Sequence, residues 1–380
     1  MAQIKHILII CGEASGDLHA ANLAKEILKV NPEIKISGVG GALLRKAGAQ
    51  IYCDIKDLAV IGLFDVLKKL PKFFALQKLI LKKIKEEKPD ALILVDFSGF
   101  NLRLAKKINK AIPTIYYISP QVWASRPGRI KTIKDCIHKL ITIFKFEEEF
   151  YKRYGIDAVF VGNPLLDIVQ PTMDRQEFFY KYGLADSKTT IALLPGSRRQ
   201  EIKNILPIML KASILISKAL PSVQFVIVKT PQIEWSIYNR LVGGLDIDLI
   251  IIEGLTYDCL KSADFALVAS GTATLETAIM QKPFVIIYKM GLLNYLLYRP
   301  QVKVPYIGMV NIIAKRKVIP EFIQFEACPQ KILDESIKIL KNPSEIEQMK
   351  SNLERIKSLL GEKGASERAA QTILDFLNKR

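Results

Sequence analysis

The stretch Ile191-Ala192-Leu193-Leu194-Pro195-Gly196-Ser197-Arg198-Arg199-Gln200-Glu201 joins an apolar strand to a glycine-containing turn and the start of a helix. Its apolar residues are continuous rather than alternating, which is typical of a parallel sheet covered by helices on both faces. The helix start offers backbone N–H groups to an anion, and Arg198 adds a permanently charged, bidentate donor. The stretch therefore predicts an α/β fold with a diphosphate site; the alternative is a capped helix with surface arginines.

Short β-branched runs alternate with longer amphipathic segments along the rest of the chain. The predicted strands are residues 4–11, 34–39, 91–96, 114–119, 139–143, 158–162, 190–194, 224–228, 248–252, 265–269 and 283–288. Predicted helices include residues 20–30, 201–219 and 273–280, and residues 329–380 are predicted to form helices only. The repeated β-α-β order predicts two doubly wound, Rossmann-like domains that face each other across a ligand-binding cleft.

The strand–helix order breaks once, at the polar, proline-containing residues 169–174. A chain of 380 residues is long enough for two domains of about 150–200 residues each. We therefore predict a first domain over residues 1–168, a second over residues 175–345, and a helical C-terminal segment over residues 346–380.

The composition narrows the class of function. The five cysteines form no C-x-x-C pair and the three histidines no H-x-x-x-H pattern, so we expect neither a disulfide framework nor a zinc site. The N-terminal residues lack a signal-peptide layout, and no uncharged apolar stretch reaches the ~18 residues of a membrane-spanning helix; we expect a cytoplasmic protein. The net charge of +17 indicates an anionic partner, whether nucleic acid, lipid headgroups or a phosphorylated substrate.

Polar groups follow two predicted strands in the first half of the chain. Gly12-Glu13-Ala14-Ser15-Gly16-Asp17 is a strand-to-helix turn that suits a polar ligand, or a tight turn with Ser15 or Asp17 as helix N-cap. Asp96 follows an apolar run, where a carboxylate faces a ligand and can act as a general base; the alternative is that it caps the next helix. Gly38-Val39-Gly40-Gly41 lacks the third glycine of a dinucleotide fingerprint and is predicted to be a turn.

A second strand-to-helix turn lies in the second half of the chain, at Ser270-Gly271-Thr272-Ala273-Thr274-Leu275-Glu276. Two such helix starts in one domain fit a diphosphate better than a single phosphate. Glu276 lies one turn into the helix, where it either reaches a ribose diol or complements the helix dipole. Asp246-Ile247-Asp248 matches a short metal-binding pattern, but it precedes a buried strand instead of following one, so we assign no metal.

Two basic amphipathic segments favour contact with an anionic membrane surface over nucleic acid. The first, residues 63–88, interleaves apolar and lysine residues: Leu67, Leu70, Phe73, Phe74 and Leu76 with Lys68, Lys69, Lys72, Lys78, Lys82 and Lys83. The second, residues 292–298, is flanked by Lys289 and Arg299. The alternative is an ordinary core-facing helix with a solvated lysine face.

These motifs, in this order, resemble those of the lipid A disaccharide synthases, inverting glycosyltransferases (family 19) of the two-Rossmann GT-B architecture. The matching segments are residues 12–17, Asp96 with Phe100-Asn101, Tyr117-Ile118-Ser119-Pro120-Gln121-Val122-Trp123-Ala124, residues 160–164, 194–198 and 270–276, and Asn311 with Pro320-Glu321. They span almost the whole chain, and Ser-Pro-Gln-Val-Trp is far more specific than a glycine-rich turn.

The resemblance implies that UDP-2,3-diacylglucosamine and 2,3-diacylglucosamine 1-phosphate are condensed to a tetraacyl disaccharide 1-phosphate and UDP, without metal or other cofactor. It implies that the first domain binds the acceptor and the second the UDP-sugar. Asp96 and Arg198 would be catalytic, and Glu13, Ser15, Asn101, Gln121 and Trp123 would bind the acceptor. The donor would be bound by Gly196, Ser197, Ser270, Gly271, Thr272, Glu276, Asn311, Glu321 and Gln324.

For Asn311, Glu321 and Gln324 the pattern alone also allows simple loop residues. The resemblance further implies a cytoplasmic protein peripherally associated with the inner membrane, no nucleic-acid partner and, as in some relatives, a homodimer with exchanged C-terminal segments.

Two departures from the family pattern bear on the site. Some relatives carry Asp-Ala-Pro-Asp-Phe-Asn where this chain has Asp96-Phe97-Ser98-Gly99-Phe100-Asn101, so Asp96 alone would serve as carboxylate base. Ala124-Ser125 replaces the second aromatic residue of the common Trp-Ala-Trp, which affects the shape of the acceptor pocket. The competing functions are a UDP-N-acetylglucosamine epimerase, a transferase with a soluble acceptor, and a non-catalytic module that binds anionic lipid or nucleic acid.

Overall fold

The structure, a computed structural model, describes residues 4–57 and 63–379, without the side chains of residues 63–70 and 298. The chain divides into two units, Met1–Asp167 with Leu360–Arg380, and Ile168–Leu359. Each unit contains one sheet in which all strand pairs are parallel. The predicted architecture of two Rossmann-like units is confirmed.

The first unit is built on a seven-stranded sheet in the order β3-β2-β1-β4-β5-β6-β7. Its strands are β1 (His6–Ile10), β2 (Lys35–Gly40), β3 (Gln50–Asp54), β4 (Ala91–Val95), β5 (Thr114–Tyr117), β6 (Lys139–Thr142) and β7 (Ala158–Phe160). Its helices are α1 (Ala14–Val30), α2 (Ala42–Lys46), α3 (Leu63–Glu87), α4 (Ser98–Ile108), α5 (Arg129–Cys136), α6 (Lys145–Lys152), α7 (Leu165–Ile168) at the unit boundary, and α17 (Ala365–Asn378). The order of the strands reverses between β1 and β4, which makes the carboxyl ends of these two strands the expected ligand site.

The second unit is built on a six-stranded sheet in the order β10-β9-β8-β11-β12-β13. Its strands are β8 (Thr189–Leu194), β9 (Val223–Lys229), β10 (Leu249–Glu253), β11 (Phe265–Ala269), β12 (Phe284–Tyr288) and β13 (Glu321–Ile323). Its helices are α8 (Arg175–Tyr182), α9 (Arg199–Ala219), α10 (Trp235–Val242), α11 (Thr256–Ser262), α12 (Thr272–Ile279), α13 (Leu292–Tyr298), α14 (Met309–Ala314), α15 (Pro329–Leu340) and α16 (Pro343–Leu359). Here the order reverses between β8 and β11. These two strands precede the turns that are predicted to bind the diphosphate, residues 195–198 and 270–272, which we call the phosphate turns.

Every predicted strand is present, with ends within two residues of the prediction. The prediction missed β3 and β13, each of which lies at one of the two edges of its sheet. The predicted turn at residues 38–41 is wrong, because Gly38 and Gly40 lie in β2 and Gly41 precedes α2. A Cβ on Gly38 would lie 1.8 Å from the carbonyl oxygen of Ile9, so glycine is required here by close packing of two strands and not by a turn.

The C-terminal helices belong to different units. Helix α16 is part of the second unit, whereas α17 packs on α1 in the first. The face that α17 buries in the core of the first unit consists of Ala369, Ala370, Ile373, Leu374 and Leu377, beside residues Ala20, Leu23, Ala24 and Ile27 of α1. No helix within the described ranges is long and apolar enough to cross a membrane.

Candidate active site

In the first unit, the turns that follow β1 and β4 touch each other at the point where the strand order reverses. A Cβ on Gly12 would lie 2.3 Å from the ring of Phe97, so only glycine lets the two turns approach this closely. Glu13 is the N-cap of α1, and Glu13 and Ser15 are exposed beside this contact. The structure therefore places two of the predicted acceptor-binding residues next to the turn that carries Asp96.

Asp96 lies on a backbone bend that is stabilised by hydrogen bonds to its backbone oxygen. Asp96 and Phe97 both have φ near +46°, a left-handed conformation that non-glycine residues adopt only where the surroundings impose it. The backbone oxygen of Asp96 accepts hydrogen bonds from the Tyr116 hydroxyl and, at 2.9 Å, from Asn101 Nδ2. This bend presents the half-buried Asp96 at the carboxyl edge of the sheet.

Asn101 lies beneath this bend and is completely buried. Its Nδ2 also lies 3.4 Å from the carbonyl oxygen of Ile10 and 3.3 Å from that of Val95, at the ends of β1 and β4. These contacts fix the two strand ends relative to each other. The predicted acceptor-binding residue therefore acts on the backbone around Asp96 in this structure.

Asp17 does not cap its own helix, contrary to one of the alternatives predicted above. It is buried, and its carboxylate accepts hydrogen bonds from the backbone N–H groups of Gly41 at 2.6 Å, Leu43 at 3.0 Å and Leu44 at 3.2 Å. A carboxylate at the amino-terminal end of a helix satisfies donors that have no partner within the helix. Asp17 thus caps α2 and has a structural function.

The loop after β5 contains Gln121, which is exposed, and Trp123, which is half-buried. Trp123 Nε1 donates to Glu147 Oε1 at 3.0 Å, and Ser119 Oγ donates to Glu147 Oε2 at 2.9 Å. Glu147 is 1% exposed. Burial raises the pKa of its carboxyl to about 7, although the hydrogen bonds from Trp123 and Ser119 oppose the shift. Sequence reasoning missed Glu147, because it stands in an acidic run that has the appearance of a solvated helix face.

In the second unit, the predicted phosphate turn after β8 contains an internal carboxylate. Gly196 has φ +109°, and Ser197 and Arg198 are exposed. Glu201 Oε2 accepts the backbone N–H groups of Ser197 at 3.0 Å and of Arg198 at 3.2 Å. These N–H groups can therefore bind an anion, and the anion that binds them in this structure is Glu201, a residue that sequence reasoning placed in the helix without a function.

The turn after β11 presents backbone N–H groups with no side-chain cap. Gly271 is the N-cap of α12, and Gly271 and Thr272 are exposed. The backbone N–H of Ser270 donates to Ile287 at 3.0 Å, which fixes the start of the turn to β12. Since β8 and β11 are neighbouring strands, both predicted phosphate turns lie at the same edge of one sheet.

Glu276 lies half-buried in α12. Burial raises the pKa of its carboxyl, and the Tyr257 hydroxyl, which donates to Oε1 at 3.1 Å, lowers it. Tyr257 lies outside the motifs identified in the sequence, so sequence reasoning did not select it.

The buried Asn311 and the half-buried Glu321 hold the backbone of the segment next to the turn after β11. Glu321 accepts from the backbone N–H groups of Ile307 and Gly308, each at 3.0 Å, and from Asn311 Nδ2 at 2.7 Å. Asn311 is completely buried, and its side chain also bonds the backbone of residues 318 and 319. Ser270 Oγ donates to the carbonyl of Ile307 at 3.4 Å, which connects the hydrogen bonds of Asn311 and Glu321 to the phosphate turn.

Gln324 is also buried, and both polar atoms of its side-chain amide bind the backbone of Met290. Its Oε1 accepts from the Met290 N–H at 3.2 Å and its Nε2 donates to the Met290 carbonyl at 3.0 Å. Gln324 therefore ties the segment after β12 to the segment after β13. In this structure Asn311, Glu321 and Gln324 hold loops, whereas Gly196, Ser197, Arg198, Gly271 and Thr272 are accessible.

The Asp246-Ile247-Asp248 segment lies before β10, at the amino-terminal edge of the sheet and away from the phosphate turns. Both acids are exposed, and Asp248 pairs with Lys188 at 2.7 Å. Over the described ranges, no group of three or more His, Cys, Asp and Glu side chains is arranged to hold a metal ion.

Comparisons with known proteins identify the family of the chain. The model of the lipid-A-disaccharide synthetase family matches residues 7–376. The chain is 42% identical over 377 residues to lipid-A-disaccharide synthase of Syntrophus aciditrophicus (strain SB), an alignment that covers 99% of this chain and 98% of the relative.

Among solved structures, the chain resembles UDP-GlcNAc 2-epimerase from Neisseria meningitidis bound to UDP-GlcNAc, with a TM-score of 0.64, 14% identity, and coverage of 99% of this chain and 100% of the other. It also resembles a calicheamicin glycosyltransferase, with a TM-score of 0.62, 14% identity, and coverage of 100% and 99%. These two likenesses show the fold, and the family match over nearly the whole chain shows its descent. The chain therefore belongs to the lipid-A-disaccharide synthetase family of glycosyltransferases.

Proposed function

We propose that this protein transfers 2,3-diacylglucosamine from its UDP conjugate to the 6-hydroxyl of 2,3-diacylglucosamine 1-phosphate. The products are a β-1,6-linked tetraacyl disaccharide 1-phosphate and UDP, in lipid A biosynthesis. The observation that carries the proposal is the pair of phosphate turns on the neighbouring strands β8 and β11, in a chain of this family.

The donor diphosphate binds across these two turns. Its oxygens accept hydrogen bonds from the backbone N–H groups of the turn residues, and the charged Arg198 guanidinium supplies a bidentate contact. The diphosphate displaces the Glu201 carboxylate from the N–H groups of Ser197 and Arg198. Glu276 accepts the ribose hydroxyls, while Asn311, Glu321 and Gln324 keep the loops in position.

The acceptor binds in the first unit, at the turns after β1, β4 and β5. Asp96 takes the proton of the 6-hydroxyl, and this oxygen attacks the anomeric carbon from the face opposite UDP, which inverts the configuration. Glu13, Ser15, Gln121 and Trp123 contact the acceptor, and Asn101 holds the Asp96 backbone. Arg198 and the two helix starts stabilise the departing diphosphate, the task that a metal ion performs in other transferases.

The test is a disaccharide-forming assay with both substrates, in the presence and absence of EDTA. Wild type is expected to release UDP at the same rate with and without EDTA. The Asp96→Asn variant is expected to lose kcat by about 10²-fold or more, the usual contribution of a general base, while UDP binding measured by calorimetry stays unchanged. Asp135→Asn, on the exposed face of α5, is the matched control. A near-normal kcat for Asp96→Asn contradicts the base assignment, and loss of activity in EDTA contradicts metal independence.

Peripheral association with the cytoplasmic face of the inner membrane is part of the proposal. Helix α13 exposes Leu292, Leu293, Leu296 and Leu297, each to between 47% and 61%, beside Phe325 at 71%. An apolar patch of this kind, close to Lys289 and Arg299, suits an anionic lipid surface.

The described part of α3 supports the membrane proposal less strongly. Leu76 and Ile80 face the core, and Phe74 remains 64% exposed. Four other residues predicted for this amphipathic segment, Leu67, Leu70, Lys68 and Lys69, lie outside the described side chains. Sedimentation with phosphatidylglycerol vesicles tests α13: Leu293→Ser with Leu296→Ser should weaken binding, and unchanged binding contradicts the assignment.

The homodimer is proposed on the packing of α17 against α1 within one chain. Exchange of α17 between two copies preserves the same contacts, which is how segment-swapped dimers form at little cost. Light scattering after size exclusion should give twice the chain mass of 42.8 kDa, and the mass of one chain over the working concentration range contradicts a dimer.

A further inference from the structure

A cluster of three arginines surrounds the amino-terminal end of α4, immediately beyond Asp96. Arg129, the first residue of α5, donates from Nη1 to Ser98 Oγ at 3.1 Å. Arg126 is exposed in the loop before α5, and Arg103 is exposed in the second turn of α4. Helices α4 and α5 pack against each other, which brings the three side chains to one edge of the unit.

Asp96, two residues before Ser98, is the acidic residue beside the arginine cluster. Among the residues that the structure describes, no ion pair involves Arg103, Arg126 or Arg129, and the first turns of α4 and α5 contain no acidic residue. Burial, followed by repulsion from Arg126 and Arg103, lowers the pKa of Arg129. Half-buried and surrounded by like charge, Arg129 is stabilised by any anion that binds beside it.

The start of α4 adds hydrogen-bond donors to the cluster. Its N-cap is Phe97, whose side chain cannot accept a hydrogen bond, so no side chain caps the helix. A Cβ on Gly99 would have no atom of the described residues within 4 Å. The first N–H groups of a helix have no partner within it and attract anions. The Arg129 guanidinium, the Ser98 hydroxyl and the first N–H groups of α4 therefore lie together, and the charges of Arg126 and Arg103 are close enough to lower the pKa of Arg129.

We propose that Arg126, Arg129, Ser98 and the start of α4 form a binding site for a phosphate monoester, and that its ligand is the 1-phosphate of the acceptor sugar. Arg103 adds longer-range attraction. The planar fork of arginine matches the oxygens of a phosphate and can bind two of them at once. This assignment rests on the proposed function and gives the acceptor a second anchor besides the hydroxyl that reacts.

The spacing of the two groups in the chain suits one acceptor molecule. Asp96 and Ser98 are two residues apart, so their Cα atoms lie within about 7 Å of each other. The 6-hydroxyl and the 1-phosphate of glucosamine project from different sides of a single ring. A phosphate held at Ser98 and Arg129 thus leaves the opposite side of the ring available to Asp96, and it fixes which hydroxyl reaches the base.

The test compares Arg126→Gln, Arg129→Gln and wild type with two acceptors, 2,3-diacylglucosamine 1-phosphate and the same sugar without phosphate, in neutral detergent micelles free of phospholipid. Hydrogen bonds to charged groups are worth enough to predict that each variant raises the KM of the phosphorylated acceptor about tenfold or more. The KM of the UDP-sugar should stay unchanged, and the kcat/KM preference for the phosphorylated acceptor should fall by the same factor. Arg153→Gln, an exposed arginine of the same unit, is the matched control and should behave as wild type.

An unchanged preference for the phosphorylated acceptor in both variants overturns the inference while leaving the proposed function intact. Arg126 is exposed, so its replacement leaves the fold unaltered and this comparison stays valid even where Arg129→Gln unfolds. Failure of wild type to release UDP with either acceptor overturns both the inference and the proposed function. A second arm measures binding to phosphatidylglycerol vesicles: equal binding by variants and wild type supports the acceptor phosphate as ligand. Weaker vesicle binding with an unchanged acceptor KM assigns the arginines to lipid headgroups and overturns the inference.

Discussion

Replacing Glu147 by Gln tests the electrostatics beneath Trp123. Burial raises the pKa of the Glu147 carboxyl to about 7 from an ordinary value of 4.5. The folded chain therefore binds this proton more tightly than the unfolded chain. The resulting contribution to stability is fully present below pH 4.5 and is lost as the pH rises through 7.

The magnitude follows from the two pKa values. Their separation corresponds to about 3 kcal/mol of unfolding free energy, of which about 2.5 kcal/mol is lost between pH 5 and pH 8. The Glu147→Gln variant keeps the shape of the side chain but cannot titrate. The difference in unfolding free energy between wild type and this variant should therefore fall by about 2.5 kcal/mol from pH 5 to pH 8.

The assay is urea unfolding followed by tryptophan fluorescence. The chain has two tryptophans, so a Trp235→Phe background leaves Trp123, the hydrogen-bond partner of Glu147, as the reporter of the first unit. Glu148→Gln is the matched control: burial opposes its ionisation, but Lys145 and Lys152 outweigh this and lower its pKa. Stability from Glu148 is lost only as the pH falls below the ordinary range, so this control should show no change between pH 5 and pH 8. A Glu147→Gln difference that stays constant over this range would refute the burial argument.

Two further substitutions test the site. Gly12→Ala places a Cβ 2.3 Å from the Phe97 ring, so it should lower the unfolding free energy by about 1–3 kcal/mol and raise the acceptor KM; an unchanged melting temperature would show that the two turns separate freely. Tyr257→Phe removes the donor that lowers the pKa of the Glu276 carboxyl, so the raised pKa should rise further and UDP affinity, measured by calorimetry, should fall more at pH 6 than at pH 8. An equal loss at both pH values would contradict a carboxylate–ribose contact.

The fold was predictable wherever burial made a strand continuously apolar. The central strands β1, β4, β8 and β11 are covered by helices, and their apolar runs identify them. Strand β3, Gln50–Asp54, lies at a sheet edge and is mostly half-buried, so its sequence contains polar residues and resembles a loop. A prediction based on apolar runs therefore finds the central strands and the apolar edge strands β7 and β10, and it misses the polar edge strand β3 and the three-residue edge strand β13.

The candidate site was predictable only where the backbone chemistry is local. Gly196, Ser197 and Thr272 stand at strand-to-helix turns, and the order of the strands places both turns together. Glu147 and Glu201 could not be selected in the same way. Glu147 differs from its acidic neighbours only through its hydrogen bonds with Ser119 and Trp123, which are far from it in the sequence. The carboxylate of Glu201 reaches back to the turn by a rotamer that no sequence pattern specifies.

Helix α17 has a consequence for synthesis of the chain. The first unit needs residues from both ends of the sequence, because α17 covers the apolar face of α1. During translation, residues 1–167 leave the ribosome long before residues 365–378 exist, and the second unit is made in between. The first unit therefore waits with Leu23 and Ile27 uncovered, and the usual N-terminal-first order of domain folding is reversed. A nascent chain of this kind depends on the completion of its last helix or on a chaperone that shields α1 until then.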